Sequence, residues 1–112
     1  MGCNNLTSLE GVPQKVGGYF SCSNCSKLET LKGAPIEVGG NFNCSNCSKL
    51  KSLKGASQKV GGSFSCNECK NLISLEEAPQ EVGGNFNCFY CKIQFTKDDV
   101  KNVSKVKGRI YI

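Results

Sequence analysis

Hydrophobic and polar positions follow one phrase along this chain, and the phrase returns every 22 residues. From Val38 to Leu50 it reads Val-Gly-Gly-Asn-Phe-Asn-Cys-Ser-Asn-Cys-Ser-Lys-Leu. The aromatic position recurs as Phe20, Phe42, Phe64 and Phe86, and the thiols recur as Cys22/Cys25, Cys44/Cys47, Cys66/Cys69 and Cys88/Cys91. A fixed period of this length predicts a solenoid, in which each repeat buries its apolar face only against its neighbours. Within the phrase, Gly-Gly-x-Phe-x-Cys-x alternates with period two. That predicts one short strand per rung with Phe and the first Cys facing inward.

The remaining positions form columns. Leu28, Leu50 and Leu72 align with Leu6, and Leu31, Leu53 and Leu75 with Leu9; Val38, Val60 and Val82 align with Val16. The Gly-Gly pairs mark the corner into each strand, where a Cβ would be excluded. Pro13, Pro35 and Pro79, with Ser57 in the third copy, suit an irregular corner that needs no N–H donor. Glu10, Lys32, Lys54 and Glu76 form one charged column, and Lys15, Glu37, Lys59 and Glu81 form another that alternates in sign. Such pairs add a few tenths of a kcal/mol each at exposed sites and favour one register. The outward columns are Tyr19/Asn41/Ser63/Asn85, Ser21/Asn43/Ser65/Asn87 and Ser23/Ser45/Asn67/Phe89, with Tyr90 beyond. They are short and polar, with aromatics only at the two ends, and two readings stand for the Asn and Ser side chains: contact with a partner, or hydrogen bonds along the stack.

The repeat ends at Cys91. Thr96 as N-cap, Asp99 at the capping-box position and Phe95 stapled to Val100 predict a helix over about 97–106 that stops at Gly108. A strand over 109–112 should follow. Ile110 lies 22 residues after Cys88, so that strand keeps the step and could stack as one more rung. The division is therefore 1–95, a solenoid of four repeats and a partial first rung, and 96–112, a helix–strand cap of the kind that solenoids need over the last hydrophobic rung. The partial first rung leaves the edge near Tyr19–Ser23 uncovered, so a second copy of the chain or a partner strand could pair there.

Composition then narrows the chemistry. Histidine is absent, which removes every His-dependent catalytic arrangement and every mixed Cys/His metal site. No nucleophile stands beside a base and no glycine-rich loop precedes a helix, so the reading is not an enzyme. The +5 charge is uneven: residues 1–91 carry 8 Lys and 7 Glu, whereas 92–112 carry 5 Lys, 1 Arg and 2 Asp. Lys97, Lys101 and Lys105 share a helix face, followed by Lys107 and Arg109. An acidic protein partner is the first expectation for them, and nucleic acid, with steep salt dependence, the second. No apolar run approaches a membrane span, and nine cysteines without a secretory signal predict free thiols in a cytoplasmic setting. Leu6 stands where an acylation signal needs Ser or Thr, so Cys3 is assigned to the repeat.

The CxxC spacing also falls inside the window of a four-cysteine zinc site. Three readings follow. Cys22, Cys25, Cys44, Cys47, Cys66, Cys69, Cys88 and Cys91 are buried thiols acting as small hydrophobes, with no cofactor; or they are ligands for zinc or iron; or neighbouring ones pair as disulfides.

The step and the Phe-x-Cys-x-x-Cys-x-x-Leu core resemble a leucine-rich repeat, with Phe20 and Cys22 at the two strand leucines, Cys25 at the turn and Leu28 next. The likeness covers residues 3–95, with Gln94 in place of the last leucine. It implies an α/β-type solenoid with one parallel strand per rung and a mostly irregular convex side. It also implies non-catalytic protein binding through the strand face: Tyr19, Ser21, Ser23, Asn41, Asn43, Ser45, Ser63, Ser65, Asn67, Asn85, Asn87, Phe89 and Tyr90. The phrasing is similar as well to short arrays in phage-encoded and mobile-element proteins. That implies a host partner, such as a defence protein, met in the host-cell cytoplasm.

Overall fold

The structure, a computed structural model, describes residues 8–112. The expectations placed on Cys3 and Leu6 lie outside those residues. The chain winds as a parallel β-solenoid of about four turns with a repeat of about 22 residues. Each rung contributes two strands of two residues: β1 Lys15–Val16 and β2 Phe20–Ser21, β3 Glu37–Val38 and β4 Phe42–Asn43, β5 Lys59–Val60 and β6 Phe64–Ser65, β7 Glu81–Val82 and β8 Phe86–Asn87. A five-residue helix, α1 Lys97–Lys101, precedes β9 Lys105–Val106 and β10 Ile110–Tyr111. The strands stack into two parallel sheets, ordered β1-β3-β5-β7-β9 and β10-β8-β6-β4-β2.

One strand per rung was the expectation; there are two. The Val column belongs to its own sheet, and a two-residue strand is too short to show alternation in sequence. The α/β description does not carry over either, because α1 is the only α-helix among the described residues. In both sheets the predicted 22-residue register holds through the fourth rung, pairing Phe20 with Phe42, Phe42 with Phe64, and Phe64 with Phe86. The Lys15, Glu37, Lys59, Glu81 column pairs likewise and ends on Lys105.

Backbone donors are spent between rungs. Phe42 N–H donates to the Ser63 carbonyl at 2.9 Å and Cys44 N–H to the Ser65 carbonyl at 2.8 Å, while Gly39 N–H donates to the Val16 carbonyl at 2.7 Å. Strands this short have no stability alone, so each rung depends on its neighbours. The corner requires glycine for the same reason: a Cβ on Gly40 would stand 2.9 Å from the Gly18 carbonyl carbon. At the next corner Ser57, where the other copies have proline, is buried and donates its hydroxyl to the Pro35 carbonyl.

Between the sheets lies a core of like residues on like. Phe42, Phe64, Phe86, Leu28, Leu31, Leu50, Leu53 and Leu72 are fully buried, as are Cys25, Cys44, Cys47, Cys66 and Cys69. Successive Phe rings are 5.3, 5.3 and 5.2 Å apart and tilted by 44°, 33° and 44°. The rung spacing sets that separation, and tilting lets rings thinner than the spacing fill it. Burying each such side chain contributes about 1.5–3 kcal/mol.

The last rung breaks step. Val106 pairs with Val82 and Ile110 with Phe86, so the interval is 24, and Ile110 tops the Phe column instead of following Cys88. The capping box of Thr96 and Asp99 is present, but the helix ends at Lys101 with Asn102 as C-cap, not at Gly108. Sheet pairing reclaims the chain at Lys105, whose N–H donates to the Gln80 carbonyl at 2.9 Å. Gly108 serves instead in the final corner, where its Cβ would meet the Gly84 carbonyl oxygen at 2.6 Å. The strand expected over 109–112 is β10, Ile110–Tyr111. Among the described residues no helix is long and apolar enough to cross a membrane.

Candidate functional site

The cysteines occupy the interior. None of the eight described ones is in a disulfide; seven are buried and Cys91 is half-buried. In three of the four pairs the second thiol donates across to the previous rung: Cys47 Sγ to the Cys22 carbonyl at 3.2 Å, Cys69 Sγ to the Cys44 carbonyl at 3.2 Å, and Cys91 Sγ to the Cys66 carbonyl at 3.1 Å; Cys25 Sγ donates to the Ser23 carbonyl at 3.8 Å. A leucine could fill that volume but could not satisfy the carbonyl. Burial pushes the Cys69 and Cys88 thiols up to about 12 from 9.0, and pushes Cys44 well up. Cys22 and Cys66 rise through their hydrogen bonds with Cys47 and Cys91, and then through burial, while those same bonds lower Cys47 and Cys91. Among the described residues, no three Cys, Asp or Glu side chains converge as a ligand set.

The polar columns face outward, yet most of their side chains are engaged in the stack. Ser63 N–H donates to Asn41 Oδ1 at 2.8 Å, Asn85 N–H to Ser63 Oγ at 3.0 Å, and Arg109 N–H to Asn85 Oδ1 at 2.8 Å. In the third column, Asn67 N–H donates to Ser45 Oγ at 3.1 Å and Phe89 N–H to Asn67 Oδ1 at 3.0 Å. Asn43 Oδ1 accepts from Ser45 N–H at 2.9 Å, and Asn87 Nδ2 donates to Ser65 Oγ at 3.0 Å. Most of these short acceptors thus satisfy a donor of the next rung, which accounts for Asn and Ser at those positions. Ser21 and Ser23 pair with each other at 3.1 Å. Ser23 is buried, against the expectation that it faces a partner.

The aromatics at the two ends stand apart from that ladder. Tyr19 begins the first column and is 77 % exposed. Tyr90 is equally exposed, packs edge-on to Phe89 with ring centroids 5.4 Å apart, and has a backbone φ of 61°. Its counterparts Asn24, Asn46 and Glu68 share that left-handed conformation. Asparagine tolerates it, whereas a bulky side chain bears a cost of order 1 kcal/mol. Phe89, Tyr90, Gln94 and Ile112 line a pocket of about 300 Å³.

Three of the five predicted basic residues meet at the terminal rung; Lys105 lies on β9, because the helix ends at Lys101, and so does not share a helix face with Lys97 and Lys101. Lys97 and Lys101 of α1 face Arg109 and Tyr111 across a groove of about 460 Å³ that is also lined by Val106 and Ile110. Lys105 and Lys107, the other members of the predicted set, are exposed but do not line it. A second pocket of about 360 Å³ was not foreseen; it lies between α1 and the preceding leg, lined by Ile73, Leu75, Ile93, Phe95 and Val103. Its sequence signal is Ile73 and Ile93, 52 % and 44 % exposed at positions outside every apolar column.

No protein-family model, curated protein or solved structure matches this chain.

Proposed function

We propose that the protein is a non-catalytic binding module that recognises another protein through the aromatic ends of its strand face, with Tyr90 and Phe89 as anchors and Tyr19 as the opposite limit. The carrying observation is Tyr90. A bulky aromatic, 77 % exposed, occupies a left-handed position that the earlier rungs give to Asn24, Asn46 and Glu68, and beyond its edge contact with Phe89 the core makes no use of it, so the local backbone cost is retained for little packing return. Tyrosine and its neighbouring ring supply a rigid amphipathic surface of the kind that dominates interface energetics. The leucine-rich-repeat resemblance supports the same side of the molecule, because that family binds through its strand face. The Asn and Ser columns between the aromatics act as the flat, pre-ordered floor against which a partner lies.

The test replaces Tyr90 with the residue that the repeat itself favours. Tyr90→Asn should unfold at a higher temperature than the parent and yet lose the partner captured by the parent from native cell extract, as should Tyr19→Ala. Undiminished capture by both variants would remove this face from consideration.

A further inference from the structure

We propose that the open end of the stack, formed by β9, β10 and α1, receives an extended acidic segment of the partner as one more strand on β10. This rests on the binding-module reading and assigns the chemistry of the partner at the end next to Tyr90.

The backbone carries the first part. β9 and β10 are terminal strands of their sheets. On the inner side of β10, Phe86 and Cys88 N–H donate to the Arg109 and Tyr111 carbonyls, both at 2.9 Å. By the alternation of a parallel ladder, the N–H groups of Ile110 and Ile112 and the carbonyl of Ile110 point the other way, where no further strand of the described chain lies. Such an edge is a template for strand addition.

The side chains carry the second part. Val106 and Ile110 top the Val and Phe columns and remain half-buried, whereas Val82 and Phe86 one rung below are 1 % and 0 % exposed. An added strand would place an apolar residue on Ile110 and continue the column. Its preceding residue would lie beside Arg109, with Lys97 and Lys101 across the groove. The matching pattern is therefore acid–apolar–any–apolar, set against Arg109, Ile110, Tyr111 and Ile112 in turn. Ile112 also lines the Phe89–Tyr90 pocket, so the segment would run on towards those rings.

A second copy of the chain fits less well. The charged column runs Lys15, Glu37, Lys59, Glu81, Lys105, with lysine at both ends. Head-to-tail stacking would set Lys15 of one copy against Lys105 of the next. Nucleic acid would meet the cations but leave Val106, Ile110 and the strand amides uncovered.

The experiment selects from a random twelve-residue peptide library displayed on yeast, using the full chain, and then titrates the selected peptide. The expected outcome is an acid–apolar–any–apolar consensus. Its affinity should fall by about tenfold between 50 and 300 mM salt, and by about tenfold again in Lys101→Glu/Arg109→Glu. Peptide addition should slow hydrogen exchange at the Ile110 and Ile112 amides. The proposal is overturned by a consensus without acids, by unchanged exchange at those amides, or by tighter binding of a twelve-nucleotide single-stranded DNA. Concentration-dependent self-association that protects the same amides without peptide also overturns it. Loss of the native partner in Tyr90→Asn together with no acidic consensus would leave the binding-module reading standing and remove this proposal alone; retention of that partner by both Tyr90→Asn and Tyr19→Ala would remove the wider reading.

Discussion

The middle rungs and the last rung contain the same kinds of position under different constraints. In the middle, Gly61 stacks on Gly39, Phe64 lies between two rings, and Asn41 accepts from the N–H of Ser63. Every atom there has a rung on both sides, so each side chain is dictated by its copies above and below. At the end, Ile110 replaces Phe, Arg109 and Tyr111 replace Asn or Ser, and Tyr90 replaces Asn or Glu. These positions have a neighbour on one side only. What they teach is that stacking accounts for the repeated letters, and that function is best sought in the letters that depart from them.

The largest effect should separate two glycines of the same column. In Gly61→Ala the new methyl meets the carbonyl oxygen of Gly39, backbone against backbone, whereas Gly17 has nothing within 4 Å among the described residues. Gly61→Ala should therefore lose its cooperative thermal transition, and Gly17→Ala should keep it within a few degrees. An unchanged melt for Gly61→Ala would mean that the corner is looser than described.

Next come the rings. Phe64→Ala should cost about 3–5 kcal/mol in urea unfolding, a large part of the stability of a chain this size. Phe20, half-buried in the first rung, should cost less than half as much. Equal costs would show that the first rung is packed as fully as the third.

The thiols give a pH dependence of middling size. Cys69 and Cys88 are raised to about 12 from 9.0 in the folded chain. The folded state then holds protons that the unfolded chain releases above pH 9. Their contribution is complete below that pH and declines as pH rises towards 12, by on the order of 1 kcal/mol per pH unit for each thiol. Urea midpoints should fall from pH 9 upward, less steeply than these two thiols alone would give, because Cys47 and Cys91 are lowered and contribute with the opposite sign. A midpoint that stays level to pH 11 would contradict protonated core thiols.

The smallest effect has the opposite sign. Tyr90→Asn should stabilise the fold by about 1 kcal/mol, since asparagine accepts the left-handed backbone at lower cost. Asn46→Tyr in the second rung should lose a similar amount, together with the bond from Asn46 Nδ2 to Asn24 Oδ1 at 2.7 Å. If both changes are neutral, the conformational argument for Tyr90 fails.

Much of this was legible in the chain itself. A 22-residue period over Phe, Cys, Leu and Val determined a stacked coil, its register over four rungs and the inward face, because identical letters at a fixed step can pack only on one another. The capping box of Thr96 and Asp99 was local chemistry and equally readable. Three matters were decided only by the tertiary structure. The Lys-Val and Glu-Val dipeptides become a second sheet, since two residues carry no periodicity and acquire a partner only when the rungs stack. The last rung takes a step of 24, because Lys105 N–H finds the Gln80 carbonyl before the helix can run on. The later CxxC thiols become donors to carbonyls of the rung before, a role set by which atoms lie one rung away. Tyr90 was readable as an aromatic at the end of a polar column; that it is held in a left-handed turn, exposed beside a pocket, followed only from the backbone that the other three rungs impose on it.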